Sequence, residues 1–175
     1  MPNWCQNRLT VIGDGERVAA FREAISGADS PISFARIAPE PEGLLDTIDG
    51  TLMDTLAELT GPNPRTGYGW RVQNWGTKWE VRDAIVEDGP VPGHLVILFD
   101  TAWSPALPIA VALIEQWPDL EIQMLWAEQS ADAGGRIRGF AGDVTSEEEV
   151  PDGREREWFI ERGWDVWSDP EEGEG

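Results

Sequence analysis

HLVILFDTAWSP, residues 94–105, carries the plainest structural signal in the chain. Every side chain from Leu95 to Phe99 is apolar. Strand residues alternate between faces, so an unbroken apolar run predicts a strand covered on both sides, in the middle of a sheet. Asp100 interrupts the run. An unpaired carboxylate there is costly, so Asp100 is read as a salt-bridged or hydrogen-bonded support for the turn at 101–104 in preference to a catalytic group. Ser104 and Pro105 then read as the N-cap and first position of a helix. That helix is expected to run to about Trp117, where Pro118 closes it.

Working outward, Leu120, Ile122, Met124 and Trp126 alternate with Glu121, Gln123 and Leu125, which predicts a strand with one covered face. GGRIRGFA at 134–141 predicts a short edge strand with Arg136 and Arg138 facing water. Upstream, 80–87 reads as a strand joined to 94–103 by a turn rich in proline and glycine. Residues 70–74 read as extended and 61–69 as a loop. Leu45, Ile48, Leu52, Leu56 and Leu59 fall on one helical stripe, and 28–43 is irregular with an extended piece at 32–37. CQNRLTVI at 5–12 is a first strand with Cys5, Leu9 and Val11 on one face. Asp14 caps the following helix, whose Val18, Phe21 and Ile25 recur at helical spacing, and Gly27 closes it.

The order strand, helix, strand, strand, helix, strand is that of an α+β, ferredoxin-like antiparallel sheet with helices on one face. A helical insertion occupies about 28–69. The domain is assigned to 1–142, followed by an acidic C-terminal extension at 143–175, in which a short helix at 154–162 gives Trp158 and Phe159 somewhere to pack. The name describes topology only, since an iron–sulfur cluster requires several cysteines and Cys5 is alone.

Composition narrows the function. The 175 residues carry 33 acids against 13 bases, a net charge of −20. Such a surface repels nucleic acid and anionic membranes and attracts a basic protein surface. Residues 143–175 hold 13 of the acids and three arginines, so half the excess lies there. A lone cysteine suits a reducing compartment, no apolar run approaches the ~20 residues of a membrane span, and the first residues lack a secretory pattern. The expectation is a cytoplasmic protein.

Enzyme motifs are missing from the sequence. His94 has no serine or aspartate partner by motif and reads as a strand-end residue. There is no histidine or cysteine pair for zinc. GDGER at 13–17 lacks the ending of a phosphate loop. Placing Gly50 at the sixth position of a calcium loop puts Leu45 and Leu56 where carboxylates are required. The expectation is a non-enzymatic protein with no cofactor or metal.

NWGTKWE at 74–80 holds Trp75 and Trp79 around a glycine and Lys78, the sole lysine. A turn at Gly76 projects both indoles together beside the ammonium, a cation–π contact worth about 0.5–2 kcal/mol. The other reading is a buried Trp–Trp contact with Lys78 reaching to water. Together with MPNWCQNRLTV at the start and FDTAWSP at 99–105, this stretch resembles the YubB-like proteins of plasmids, phages and integrated elements, over about residues 1–142. The resemblance implies a ferredoxin-like domain and a mobile-element setting, and no reaction. It carries over a motif cluster: Asn3, Trp4, Cys5 and Asn7; Asn74, Trp75, Gly76, Lys78 and Trp79; Thr101, Trp103, Ser104 and Pro105. Pairing of 79–87 with 94–103 brings Trp79 toward Trp103, in a patch that is either core or a shallow pocket.

The functional expectation is an acidic interaction protein that inhibits a host or defence protein by occupying its nucleic-acid-binding surface. Its contacts would be Glu147, Glu148, Glu149, Asp152, Glu155 and Glu157, with Trp158, Trp164 and Trp167 as hydrophobic anchors. The alternative is a small-molecule or nucleotide site at Asn74, Trp75, Lys78, Trp79, Asp100 and Trp103.

Overall fold

The computed structural model describes residues 3–44, 66–88 and 92–166. The helix expected around Leu45–Leu59, and Trp167, lie outside them. Six strands form one sheet: β1 (Trp4–Ile12), β2 (Arg82–Asp88), β3 (His94–Ala102), β4 (Glu121–Glu128), β5 (Ala133–Phe140) and β6 (Asp143–Glu149). Their spatial order is β2-β3-β1-β4-β5-β6, with every neighbouring pair antiparallel. Helix α1 (Gly15–Ile25) follows β1, and α4 (Leu107–Gln116) joins β3 to β4. The first four strands and these two helices make the ferredoxin-like α+β arrangement. β5 and β6 widen the sheet beyond β4.

Leu9 of β1 stands opposite Ile97 on β3 and Met124 on β4. With Val11 and Ile122 they floor a core closed by Val18, Phe21 and Ile25 of α1 and by Ile109, Leu113 and Ile114 of α4. Each such side chain contributes about 1.5–3 kcal/mol on full burial. Asp14 caps α1 by accepting from the Glu16 and Arg17 N–H groups at 3.0 and 3.3 Å. The C-cap is Ser26 where Gly27 was expected.

Two elements differ in kind from the sequence reading. Residues 34–37 form a one-turn helix, α2 (Phe34–Ile37), inside the stretch expected to be extended. Residues 67–75 form α3 (Gly67–Trp75), where a loop and a strand were expected. Glycine and aromatic content make α3 a weak helix by propensity, and its ends and packing override that. Thr66 Oγ1 accepts from the Gly69 N–H at 3.0 Å, and Trp75 is buried with its indole N–H donating to Ala38 O at 2.8 Å. Helix α4 also starts later than expected, with Ala106 as N-cap and Pro108 in its first turn. The hydroxyl of Ser104 is engaged elsewhere: it donates to Gly76 O at 2.5 Å.

The second face of the sheet is partly covered. Leu125 and Ala127 of β4, on the face away from α1 and α4, are buried under Trp158 and Phe159 of α5 (Glu155–Ile160). The strict alternation read in β4 therefore breaks there. β5 is also an interior strand, paired on its far side with β6. Gly134 of β5 lies under the Phe159 ring, and a Cβ added at Gly134 would meet that ring at 2.6 Å. A glycine in mid-strand marks such a close approach.

Candidate functional site

The three motif segments meet at one end of β1 and β3. Asn7 Nδ2 donates to Cys5 O at 3.0 Å and to Thr101 Oγ1 at 2.9 Å, and Thr101 Oγ1 donates to Ser104 O at 2.7 Å. Thr77 Oγ1 donates to Ala102 O at 2.9 Å. The Trp103 N–H donates to Asn3 O at 2.9 Å. Asn7, Thr77 and Thr101 are buried, so these bonds satisfy groups that water cannot reach, and losing a partner costs about 1–3 kcal/mol. The network holds the turn after β3, the role expected of Asp100. The actual support is Thr101, one residue later. Asp100 is half-buried, and its carboxylate makes no hydrogen bond or ion pair among the described residues. Burial pushes its carboxyl above the ordinary range, Asp83 adds to this, and Arg82 opposes it. Cys5 in the same node is fully buried, and burial pushes its thiol up to about 12. It stays protonated and unreactive at neutral pH.

NWGTKWE is divided by its glycine. Gly76 ends α3 in the left-handed region at φ 81°, and a Cβ there would lie 2.6 Å from Pro105 O. The chain reverses, so Trp75 and Trp79 do not project together. Trp75 enters the core with its ring centroid 5.8 Å from Phe34 and 5.9 Å from Trp70. Trp79 instead faces Trp4, 6.2 Å away. The Lys78 ammonium lies 4.5 Å from the Trp79 centroid, and the Arg82 guanidinium 4.5 Å from that of Trp4. Lys78, Trp79, Trp4 and Arg82 thus make a continuous series of cation–ring and ring–ring contacts, the two rings tilted at 42°. Asn74 bonds within its own helix, donating to Trp70 O at 2.9 Å. Glu80, which the sequence reading passed over, caps α2 from a distance, accepting from the Phe34 and Ala35 N–H groups at 2.5 and 3.1 Å.

A cavity of about 250 Å³ opens beside this corner, lined by Tyr68, Val72, Thr77, Lys78, Ala102, Trp103 and Ser104. It takes in Lys78 and Trp103 from the expected patch and leaves out Asn74, Trp75, Trp79 and Asp100. Tyr68 and Val72 went unnoticed in the sequence because they reach the cavity only through the helical spacing of α3, a segment read as loop and strand. Trp103 is 52% exposed and has φ 70°.

Residues 74–161, from this corner through α5, match the family described as the ferredoxin-like domain in Api92-like protein. The chain belongs to this family. Among solved structures, a crystal structure of a protein api92 from Yersinia pseudotuberculosis is similar at a TM-score of 0.58 and 13% identity, covering 87% of this chain and 99% of that one. At that identity the likeness concerns the fold. No curated protein matches the chain.

In this Api92-like domain the family match continues without a break across residue 142 into β6 and α5. The Glu147–Glu149 run, expected to contact a partner, is the end of β6. Glu148 binds the Arg136 guanidinium and, at 3.3 Å, Arg162 Nη2. These arginines hold its carboxyl below the ordinary range, the Arg136 hydrogen bond foremost. Arg136 therefore does not simply face water, and Arg138 bonds Glu121 Oε1 at 2.7 Å. Trp158 is buried, Trp164 is half-buried with its ring centroid 5.4 Å from Phe159, and the Arg162 guanidinium lies 3.7 Å from the Trp158 centroid. The first two expected anchors are thus packed against this domain's own sheet. Glu147, Glu149, Asp152 and Glu157 are exposed, and Glu155 is half-buried, accepting from the Gly153 N–H at 2.6 Å. Among the described residues no group of three histidine, cysteine or acidic side chains is placed to hold a metal, and no helix is long and apolar enough to cross a membrane.

Proposed function

We propose that this protein is a non-enzymatic, acidic interaction module that occupies the basic, nucleic-acid-binding surface of another protein. The observation that supports the reading is the disposition of the charge. Glu148 is consumed internally by two arginines, while Glu147 and Glu149 remain exposed on the opposite face of an outer strand, and Asp152 continues the acidic surface beside Glu157, which is paired at 3.0 Å with the exposed Arg154. Charge of this kind steers association and makes it salt-sensitive. The contact is electrostatic, since Trp158 and Trp164 serve the fold. The resemblance to the YubB-like proteins favours a host or defence protein as the target of a phage or plasmid product, acting in the cytoplasm.

Removing everything after Gly142 would take away the sixth strand along with the acids, so the test uses amide substitutions. A full chain carrying Glu147→Gln, Glu149→Gln, Asp152→Asn and Glu157→Gln keeps the Glu148 cluster. Wild-type protein should capture a nucleic-acid-handling protein from nuclease-treated extract, release it at high salt, and yield it to added DNA. The substituted chain should lose it. Capture that survives all four substitutions would sink the proposal.

A further inference from the structure

We propose that the open border of β6 captures an extended basic segment of the partner protein by antiparallel strand addition, with lysine or arginine at alternate positions opposite Glu147 and Glu149. The inference rests on the reading of the acidic surface and adds main-chain pairing to its charge. β6 is the last strand of the sheet, and among the described residues no strand pairs with it on the side away from β5. The Val150 N–H donates to Gly134 O at 3.0 Å, which continues the β5–β6 register by one residue. In an antiparallel pair, alternate residues turn their N–H and C=O groups toward the partner strand. Residues 148 and 150 therefore face β5, and Glu147 and Glu149 turn their backbone groups outward. The side chains of these same two residues are exposed. Main-chain groups on such a border give affinity to an added strand, and its side chains give specificity.

The chemistry of the occupant follows from those two residues. An added strand places one side chain directly opposite Glu147 and another opposite Glu149, with Cβ atoms about 4.5–5.5 Å apart, where opposite charges are favourable. Glu148 points to the other face and is already bound by Arg136 and Arg162. The residue between the two basic positions thus meets no free carboxylate, and the demand for positive charge falls on alternate residues alone. The far border of the sheet is less suited. β2 has a register shift between Arg82 and Ile85, with Asp83 in the left-handed region at φ 49°, and a bulge turns an edge away from further pairing. In β6 the shift lies at the other end, beside Arg138 and Gly139 of β5, and residues 146–149 pair regularly.

The test titrates full-length 15N-labelled protein with acetyl-(Thr-Lys)4-amide, which carries lysine at every second residue. The Glu147 and Glu149 N–H signals should shift saturably and gain protection from exchange. The same peptide N-methylated at its lysines keeps every charge and loses the N–H groups that would meet Glu147 and Glu149; it should bind about tenfold more weakly. On the protein side, Glu147→Gln and Glu147→Pro remove the same charge, and only proline removes the outward N–H, a change that an edge strand tolerates. The proline chain should bind more weakly than the glutamine chain. Equal binding of the methylated peptide would overturn strand addition and leave the electrostatic reading standing. A chain with Glu147→Gln and Glu149→Gln that binds the unmethylated peptide at full strength would overturn both. A peptide that does not saturate, or the same N–H groups protected in a dimer without peptide, would overturn the proposal, the second by giving the border to another copy of the chain.

Discussion

The corner at 74–80 and the acidic segment at 143–166 exchange the roles their compositions suggest. The corner is rich in tryptophan and looks like one cluster, yet Gly76 sends Trp75 into the core and Trp79 to the opposite side against Trp4. The acidic segment looks like a solvated tail, yet it supplies a sheet strand, an arginine–glutamate cluster and a second small core around Phe159. Composition reports what a segment contains. Strand alternation and a single left-handed glycine decide which side chains go in and which go out.

The largest test of that contrast is Phe159→Ala. Deleting a fully buried ring should cost about 3–5 kcal/mol, read as a fall in the denaturation midpoint. If the segment were a tail, the change would be near zero. Next is Gly76→Ala. A Cβ at φ 81°, 2.6 Å from Pro105 O, should cost about 2–4 kcal/mol and loosen Trp75 and Trp79 together, visible in both indole N–H signals.

Glu148→Gln should be milder, about 1–2 kcal/mol at neutral pH, for the loss of charged hydrogen bonds at a partly exposed site. The folded carboxyl is held below its unfolded value, so this stability is present above the ordinary glutamate range. It should vanish as pH falls through the lowered value. Asp100→Asn should give the smallest effect and the opposite sign. Its folded carboxyl is raised, so the ionised form destabilises at neutral pH and the native state takes up protons first on acidification. The amide should be slightly more stable than wild type at pH 7, with the advantage disappearing below the ordinary aspartate range, as paired pH–stability curves would show.

Much of the frame was legible because its signals are local. The apolar run in β3, the alternation in β1 and the cap at Asp14 lie within a few residues of the structure they specify. What was hidden depends on distant partners. Thr66 and Gly76 make a helix of a sequence with strand-like content only because Trp75 has Phe34 and Ala38 to meet. Glu80 caps α2 across 46 residues of chain. Of the site, Lys78 and Trp103 were readable as unusual residues in short motifs. Tyr68 was not, because its place depends on α3 being helical. The glycines of β5 were visible as a pattern, but Phe159, which lies against Gly134, comes from a segment whose acidic composition sets it apart from the sheet.

The strand order has one more consequence. The outermost strands, β2 and β6, expose Glu87 on one border, beside the Arg82–Asp83 ion pair, and Glu147 and Glu149 on the other. Open strand borders are templates for joining a second sheet. Here two copies approaching by their β6 borders bring carboxylates against carboxylates. That protection is itself ionisable. Near the isoelectric point, about 4.2, the repulsion fades and the same border becomes adhesive, so acidification toward that pH should bring strand-paired association, read as rising light scattering.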